Sequence, residues 1–91
     1  MNRFKLDYYY NNNCKCCEGY STVLYDVEQA LSIPLIYHNT EEEHNLPNIV
    51  GVPTLILSDS KGTEISRWLG KMTYPNVTDK ITEAIGNYNV E

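Results

Sequence analysis

No cysteine follows residue 17 in this 91-residue chain, and the three present stand as Cys14, Cys16 and Cys17 within four positions. A cross-link inside so short a loop removes almost no chain entropy, which excludes a stapling role for these thiols. Basic residues are also few. Seven lysines and arginines are scattered against twelve acids, the net charge is −5, and no basic stripe exists to hold a nucleic acid. No apolar run is long enough to cross a membrane. Met1 to Asp7 is too short and too charged for a signal-peptide apolar stretch. A lone cysteine cluster without such a signal fits a reducing, cytoplasmic setting. No repeat or linker divides the chain, and a single domain over residues 1–91 is expected.

What the chain does have is 42% hydrophobic residues, an ordinary content for a globular fold, and eight tyrosines. Phe4 to Tyr10 reads as a strand with Phe4, Leu6, Tyr8 and Tyr10 on one face. Asn11-Asn12-Asn13 then favours a turn. From Cys17 to Leu31 the apolar positions Tyr20, Val23, Leu24, Val27, Ala30 and Leu31 follow helical spacing, and Ser32 with Pro34 ends that helix. Ile33 to Tyr37 is a second strand. Thr40-Glu41-Glu42-Glu43 has the pattern of a capping box and predicts a short helix stopped by Pro47. Val52 to Leu57 predicts a third strand covered on both faces, joined by the turn Asp59 to Gly62 to a fourth over Thr63 to Leu69. A last helix is expected over Asn76 to Tyr88, with Val77, Ile81, Ile85 and Tyr88 inward and Trp68 beneath it. The expected class is α/β, in the order β-α-β-(short α)-β-β-α: a mixed four-stranded sheet with helices on both faces.

The cysteine cluster points to chemistry. Side chains at i and i+3 meet on one face of a helix, i and i+2 point apart, and adjacent residues close only a strained ring. Cys14 and Cys17 are therefore the expected redox pair, with Cys16 left over. Unsatisfied amides at a helix start and the neighbouring Lys15 favour a thiolate at Cys14, and Glu18 opposes it. Cys14 would attack a substrate disulfide and Cys17 would resolve the mixed disulfide. Half of a zinc site is the competing reading of a CxxC, yet no second pair follows.

The strand, the CxxC from Cys14 to Cys17 and its helix, the Gly51-Val52-Pro53-Thr54 opening of the third strand, and Gly70 after the fourth resemble the thioredoxin superfamily over about Phe4 to Tyr88. The size resembles a minimal, glutaredoxin-like member, such as those that bacteriophages encode. That resemblance implies a thioredoxin-like fold and a thiol–disulfide oxidoreductase acting in electron transport and cell redox homeostasis. It further implies a cis Val52–Pro53 bond against the thiol pair, with Val52 and Pro53 holding an extended substrate and Gly70 leaving room beside it. Asp7, one residue out of register, is the nearest match to the buried carboxylate that in thioredoxins helps deprotonate the resolving cysteine. Lys15 and Cys16 replace the usual Gly-Pro interior and are expected to modulate the pair. Asn13 stands where a tryptophan is usual, and Gly70-Lys71-Met72-Thr73 lacks the glutathione-holding signature.

The partners so implied are protein disulfides, with ribonucleotide reductase among them, and a thioredoxin-reductase-type or small-thiol reductant. A monomer without nucleic-acid or membrane partners is expected, with no cofactor beyond the Cys14–Cys17 disulfide and no resident metal. Two alternatives remain on the same fold: a metal-thiolate module for Zn, Cu(I) or an Fe–S cluster built on all three thiols, and a redox-inactive interaction subunit. His38 and His44 are expected to be surface loop histidines.

Overall fold

The structure is a computed structural model that describes residues 3–43 and 48–88, the Cys16 side chain excepted; His44, Pro47 and the Cys16 thiol lie outside that description. The elements are β1 (Phe4–Tyr10), a 3-10 turn (Lys15–Cys17), α1 (Tyr20–Leu31), β2 (Leu35–Asn39), β3 (Thr54–Asp59), β4 (Glu64–Leu69) and α2 (Tyr74–Tyr88). The sheet order is β2-β1-β3-β4. β1 pairs parallel with β2 and antiparallel with β3, and β3 pairs antiparallel with β4. This is the mixed four-stranded sheet expected from the sequence.

The strand period of two places Leu6 and Tyr8 of β1 and Leu55 and Leu57 of β3 on one face. There they form a single core with Tyr20, Leu24 and Val27 of α1 and Val77 and Ile81 of α2. Each side chain of this kind that is fully buried contributes roughly 1.5–3 kcal/mol. Both helices therefore lie on the same face, and α1 touches α2 directly. The expectation of helices on both faces is corrected on this point.

Among the described residues the second face carries no helix, because residues 40–43 form a turn. Asn39 organises that turn: its side chain accepts the Glu41 N–H at 2.9 Å, and its carbonyl accepts those of Glu42 and Glu43. An Asx turn one residue upstream has displaced the capping box read from Thr40. The rest of the expected short helix, residues 44–47, is outside the described residues.

Other boundaries moved for identifiable reasons. Gly19, at φ 77, starts α1 at Tyr20 instead of Cys17. Ser32, in the left-handed region at φ 56, ends it, returning its N–H to Glu28. The Glu28 carboxylate accepts the Leu35 N–H at 3.1 Å and so joins the end of α1 to the start of β2. α2 begins at Tyr74, ahead of the expected Asn76, since Pro75 is tolerated in a first turn and the Thr73 hydroxyl accepts the Asn76 N–H. Every residue of β3 is buried, as its unbroken apolar run predicts. Trp68 packs against the core and borders, with Ala84 and Tyr88, a cavity between β4 and α2.

The β3–β4 turn is held by Asp59, which accepts the Lys61 and Thr63 N–H groups at 2.9 Å and the Tyr88 hydroxyl at 2.7 Å. That end of the sheet is closed. The opposite end receives the close of β1, the start of β3 and the close of β4, and it presents the cysteine turn.

Candidate active site

β1 runs out at Tyr10, and the asparagine run turns the chain: Asn11 Oδ1 accepts the Asn13 N–H at 2.9 Å. The following residues do not enter an α-helix. They make one 3-10 turn, Lys15–Cys17, with Cys14 as its cap. Cys14 caps the turn from an extended conformation, and its side chain accepts the Cys17 N–H, which brings the two cysteines together. Cys14 and Cys17 lie near each other, as their spacing leads one to expect.

Both cysteines are free thiols; Cys14 is half-buried and Cys17 is buried. The Cys17 N–H points at the Cys14 sulfur at 3.2 Å and also at the Cys14 carbonyl at 3.1 Å. The two thiols are within hydrogen-bonding reach of each other. Burial pushes the Cys17 thiol up to about 11, and the hydrogen bond shared with Cys14 adds to this. The Asn11 backbone and the Tyr8 hydroxyl act in the opposite direction. The asymmetry is the one a two-thiol exchange needs: an accessible sulfur beside a shielded one that stays protonated until called on.

The segment before β3 lies beside this turn through the sheet register, in which Tyr9 pairs with Thr54 and Thr54 with Leu69. The Val52–Pro53 peptide bond is cis, and Pro53 is fully buried. Its carbonyl accepts the Gly70 N–H at 2.8 Å, which joins the two sequence-predicted binding segments at the thiol end of the sheet. Gly70 stands at φ 101, and an added Cβ there would meet nothing within 4 Å. This backbone conformation favours glycine, and the space around it is open. Leu69, Val50 and Tyr74 form an exposed apolar rim along these segments, and Leu69 reaches to 3.3 Å of where a Gly51 Cβ would stand.

Lys15 is exposed on the turn, and its carbonyl accepts the Glu18 N–H at 3.2 Å. Lys71, which the sequence did not single out, reaches the Glu18 carbonyl at 3.4 Å and brings a second cation to the rim.

Asp7 does not face the thiols. Its carboxylate lies on the side of the sheet opposite α1 and α2, 2.7 Å from His38 Nε2 and 3.9 Å from Lys5. Tyr8 faces the cysteine turn instead, and its hydroxyl donates to the Cys17 carbonyl at 3.3 Å. The signal was present in the sequence: a strand with Leu6 and Tyr8 inward cannot also turn Asp7 inward. His38 is likewise no loop residue. It sits in β2 with both ring nitrogens engaged, by Asp7 and by Glu43 at 2.9 Å.

Solved structures share this architecture. Thioredoxin 1 of Thermosipho africanus is 22% identical with a TM-score of 0.78, covering 93% of this chain and 98% of that one. A Halobacterium salinarum thioredoxin is 21% identical at a TM-score of 0.82 over 91% and 75%. Thioredoxin-2 of the malaria parasite is 18% identical at 0.80 over 91% and 84%. No protein-family model and no curated protein matches the sequence. At this level of identity the likeness establishes the fold: the chain has the thioredoxin fold, with Cys14 and Cys17 adjacent at its open end. Among the described residues, no helix is long and apolar enough to cross a membrane.

Proposed function

We propose that the chain is a dithiol–disulfide oxidoreductase that reduces protein disulfides. The observation that carries this reading is the Cys14–Cys17 geometry, an accessible sulfur with an amide aimed at it and a buried thiol within hydrogen-bonding reach. In the first step the Cys14 thiolate attacks a substrate disulfide, forming a mixed disulfide and releasing one substrate thiolate, which takes up a proton. In the second step Cys17 gives up its proton and attacks the Cys14 sulfur. The Cys14–Cys17 bond forms, the mixed disulfide breaks, and the second substrate thiol departs. The substrate gains two electrons and the pair is oxidised.

Val52 and Pro53 hold the substrate main chain next to the sulfurs, and Gly70 keeps that segment in place through its bond to the Pro53 carbonyl. The Val50, Leu69 and Tyr74 rim suits an extended, partly apolar polypeptide better than a small polar thiol. Lys15 adds positive charge on the exposed side of the turn. A thioredoxin-reductase-type enzyme or a small thiol returns the pair to the dithiol in a reducing cytoplasm. Ribonucleotide reductase is the substrate that the family resemblance implies.

Insulin disulfide reduction with dithiothreitol tests the reading. Wild type and Cys16→Ser should be active, and Cys14→Ser should be inactive. Activity that survives in Cys14→Ser, or is lost only with Cys16, would refute the 14–17 mechanism.

A further inference from the structure

Tyr8 is fully buried on the central strand, directly beneath the cysteine turn. Its ring is fixed from three directions: stacked on Tyr10 at 5.4 Å, edge-on to Tyr20 at 5.7 Å and edge-on to Tyr37 at 5.7 Å. With the ring so confined, the position of the hydroxyl is set by packing. It donates to the Cys17 carbonyl at 3.3 Å and lies within hydrogen-bonding reach of the Cys17 sulfur and of Ser21 on α1.

We propose that Tyr8 is the positioning residue of the resolving sulfur, its single O–H holding the Cys17 carbonyl in the resting dithiol and turning to the Cys17 sulfur as that sulfur acquires charge. This rests on the dithiol reading above and adds to it a residue outside the CxxC. Among the described residues, the titratable and polar groups that act most on Cys17 are Cys14 from the turn, the Asn11 backbone and Tyr8 from β1. Asp7 points to the other face. Glu18 is exposed at the far side of the turn, and Lys71 reaches only the Glu18 carbonyl.

Tyr8 cannot serve as a base. Burial pushes its phenol well up from the ordinary value, so it stays a donor at any physiological pH. Ser21 lowers that phenol by hydrogen bonding to it, which makes the Tyr8 O–H a better donor toward sulfur. The proton that Cys17 loses in the resolving step leaves to solvent and is matched by the one the departing substrate thiolate takes up. Tyr8 therefore changes neither stoichiometry nor electron count. It lowers the cost of carrying negative charge on a buried sulfur.

The test is a stopped-flow reaction of excess reduced protein with dithiobis-nitrobenzoate, in a Cys16→Ser background so that two thiols remain. The first nitrothiobenzoate release reports attack by Cys14, and the second reports attack by Cys17. Removing the donor in Tyr8→Phe should raise the Cys17 titration. Each unit of such a rise leaves about tenfold less thiolate, offset about threefold by greater nucleophilicity. The second release should therefore slow about threefold per unit, with its pH profile displaced upward, and the first should stay within about twofold of wild type. Ser21→Ala, which keeps the Tyr8 ring, should slow the second release less, in the same direction. Equal second-phase rates in Tyr8→Phe and wild type across the pH range would overturn the proposal. So would equal slowing of both phases, or an unchanged second phase in Ser21→Ala should Tyr8→Phe fail to fold. Absence of any second release in the Cys16→Ser parent would instead remove the dithiol reading itself.

Discussion

His38 Nε2 lies 2.7 Å from Oδ1 of Asp7 and ties β2 to β1 across the face of the sheet that carries neither helix. The other ring nitrogen meets Glu43 at 2.9 Å, and the ring stacks on Tyr9 with centroids 4.5 Å apart. Burial by itself would lower the His38 pKa, but the hydrogen bonds to Asp7 and Glu43 outweigh it and leave it raised. A histidine with a raised folded pKa stabilises the fold fully below its unfolded value, near ~6.5, and this contribution fades as the pH rises through the folded value. His38→Gln should therefore lower Tm more at pH 6 than at pH 9. The exposed Glu43 adds little, so the difference should be on the order of 1 kcal/mol. In a domain of this size that is roughly 4–8 °C in a thermal melt. An equal loss at both pH values would show that the ring acts by packing on Tyr9 alone.

Leu69 is 61% exposed and Val50 is 88% exposed beside the cis-proline segment. Apolar side chains so placed contribute little to folding and remain available to a docked polypeptide. Leu69→Asp should lower kcat/KM for a protein disulfide by roughly three- to tenfold, the equivalent of about 1 kcal/mol of lost apolar contact. The rate with a small aromatic disulfide should not change. Comparing insulin with dithiobis-nitrobenzoate as substrates makes this measurement, and parallel losses with both would place Leu69 in the chemistry of the sulfurs.

Gly70 and Gly62 have similar backbone conformations, φ 101 and φ 90, and neither has an atom within 4 Å of an added Cβ. Alanine at either position should cost only the backbone penalty, about 1–2 kcal/mol. The corresponding fall in Tm is roughly 4–16 °C. Their functional consequences should differ. Gly62 sits in the closed β3–β4 turn, whereas the Gly70 N–H holds the Pro53 carbonyl at the thiol end. Gly70→Ala should therefore lower insulin reduction, and Gly62→Ala should leave it intact once both proteins are assayed below their melting points.

The parts of the fold that periodicity controls were legible from sequence. Leu6 and Tyr8, the Tyr20–Leu24–Val27 stripe, the buried run of β3 and the Val77–Ile81 face all sit where spacing put them. Positions settled by one competing local bond were not. Asn39 closed a turn where Thr40 promised a helix, and Gly19 in the left-handed region delayed α1 past the cysteines. The site was legible as a CxxC with Val52-Pro53, because those signals are contiguous in sequence. The residues that surround it from a distance were hidden. Lys71 reaches Glu18 across 53 positions, and Asp7 meets His38 across 31, contacts that no local pattern encodes.

Cys17, raised to about 11 by burial and by its bond to Cys14, should react with alkylating agents far more slowly than its partner at neutral pH. At pH 7 only about one part in ten thousand of a thiol with that value is thiolate, and Cys17 is only 6% exposed. Brief iodoacetamide treatment of the reduced protein at pH 7, followed by peptide mass spectrometry, should find label on Cys14 and essentially none on Cys17. Repeating it at rising pH should increase Cys17 labelling about tenfold per unit, with no plateau below pH 10, because the thiolate is the reacting form. Denaturation before labelling should abolish the difference, since the raised value belongs to the folded site. Equal labelling of both cysteines in the native protein at pH 7 would mean that Cys17 is neither shielded nor held protonated. It could not then serve as the thiol that waits for the mixed disulfide.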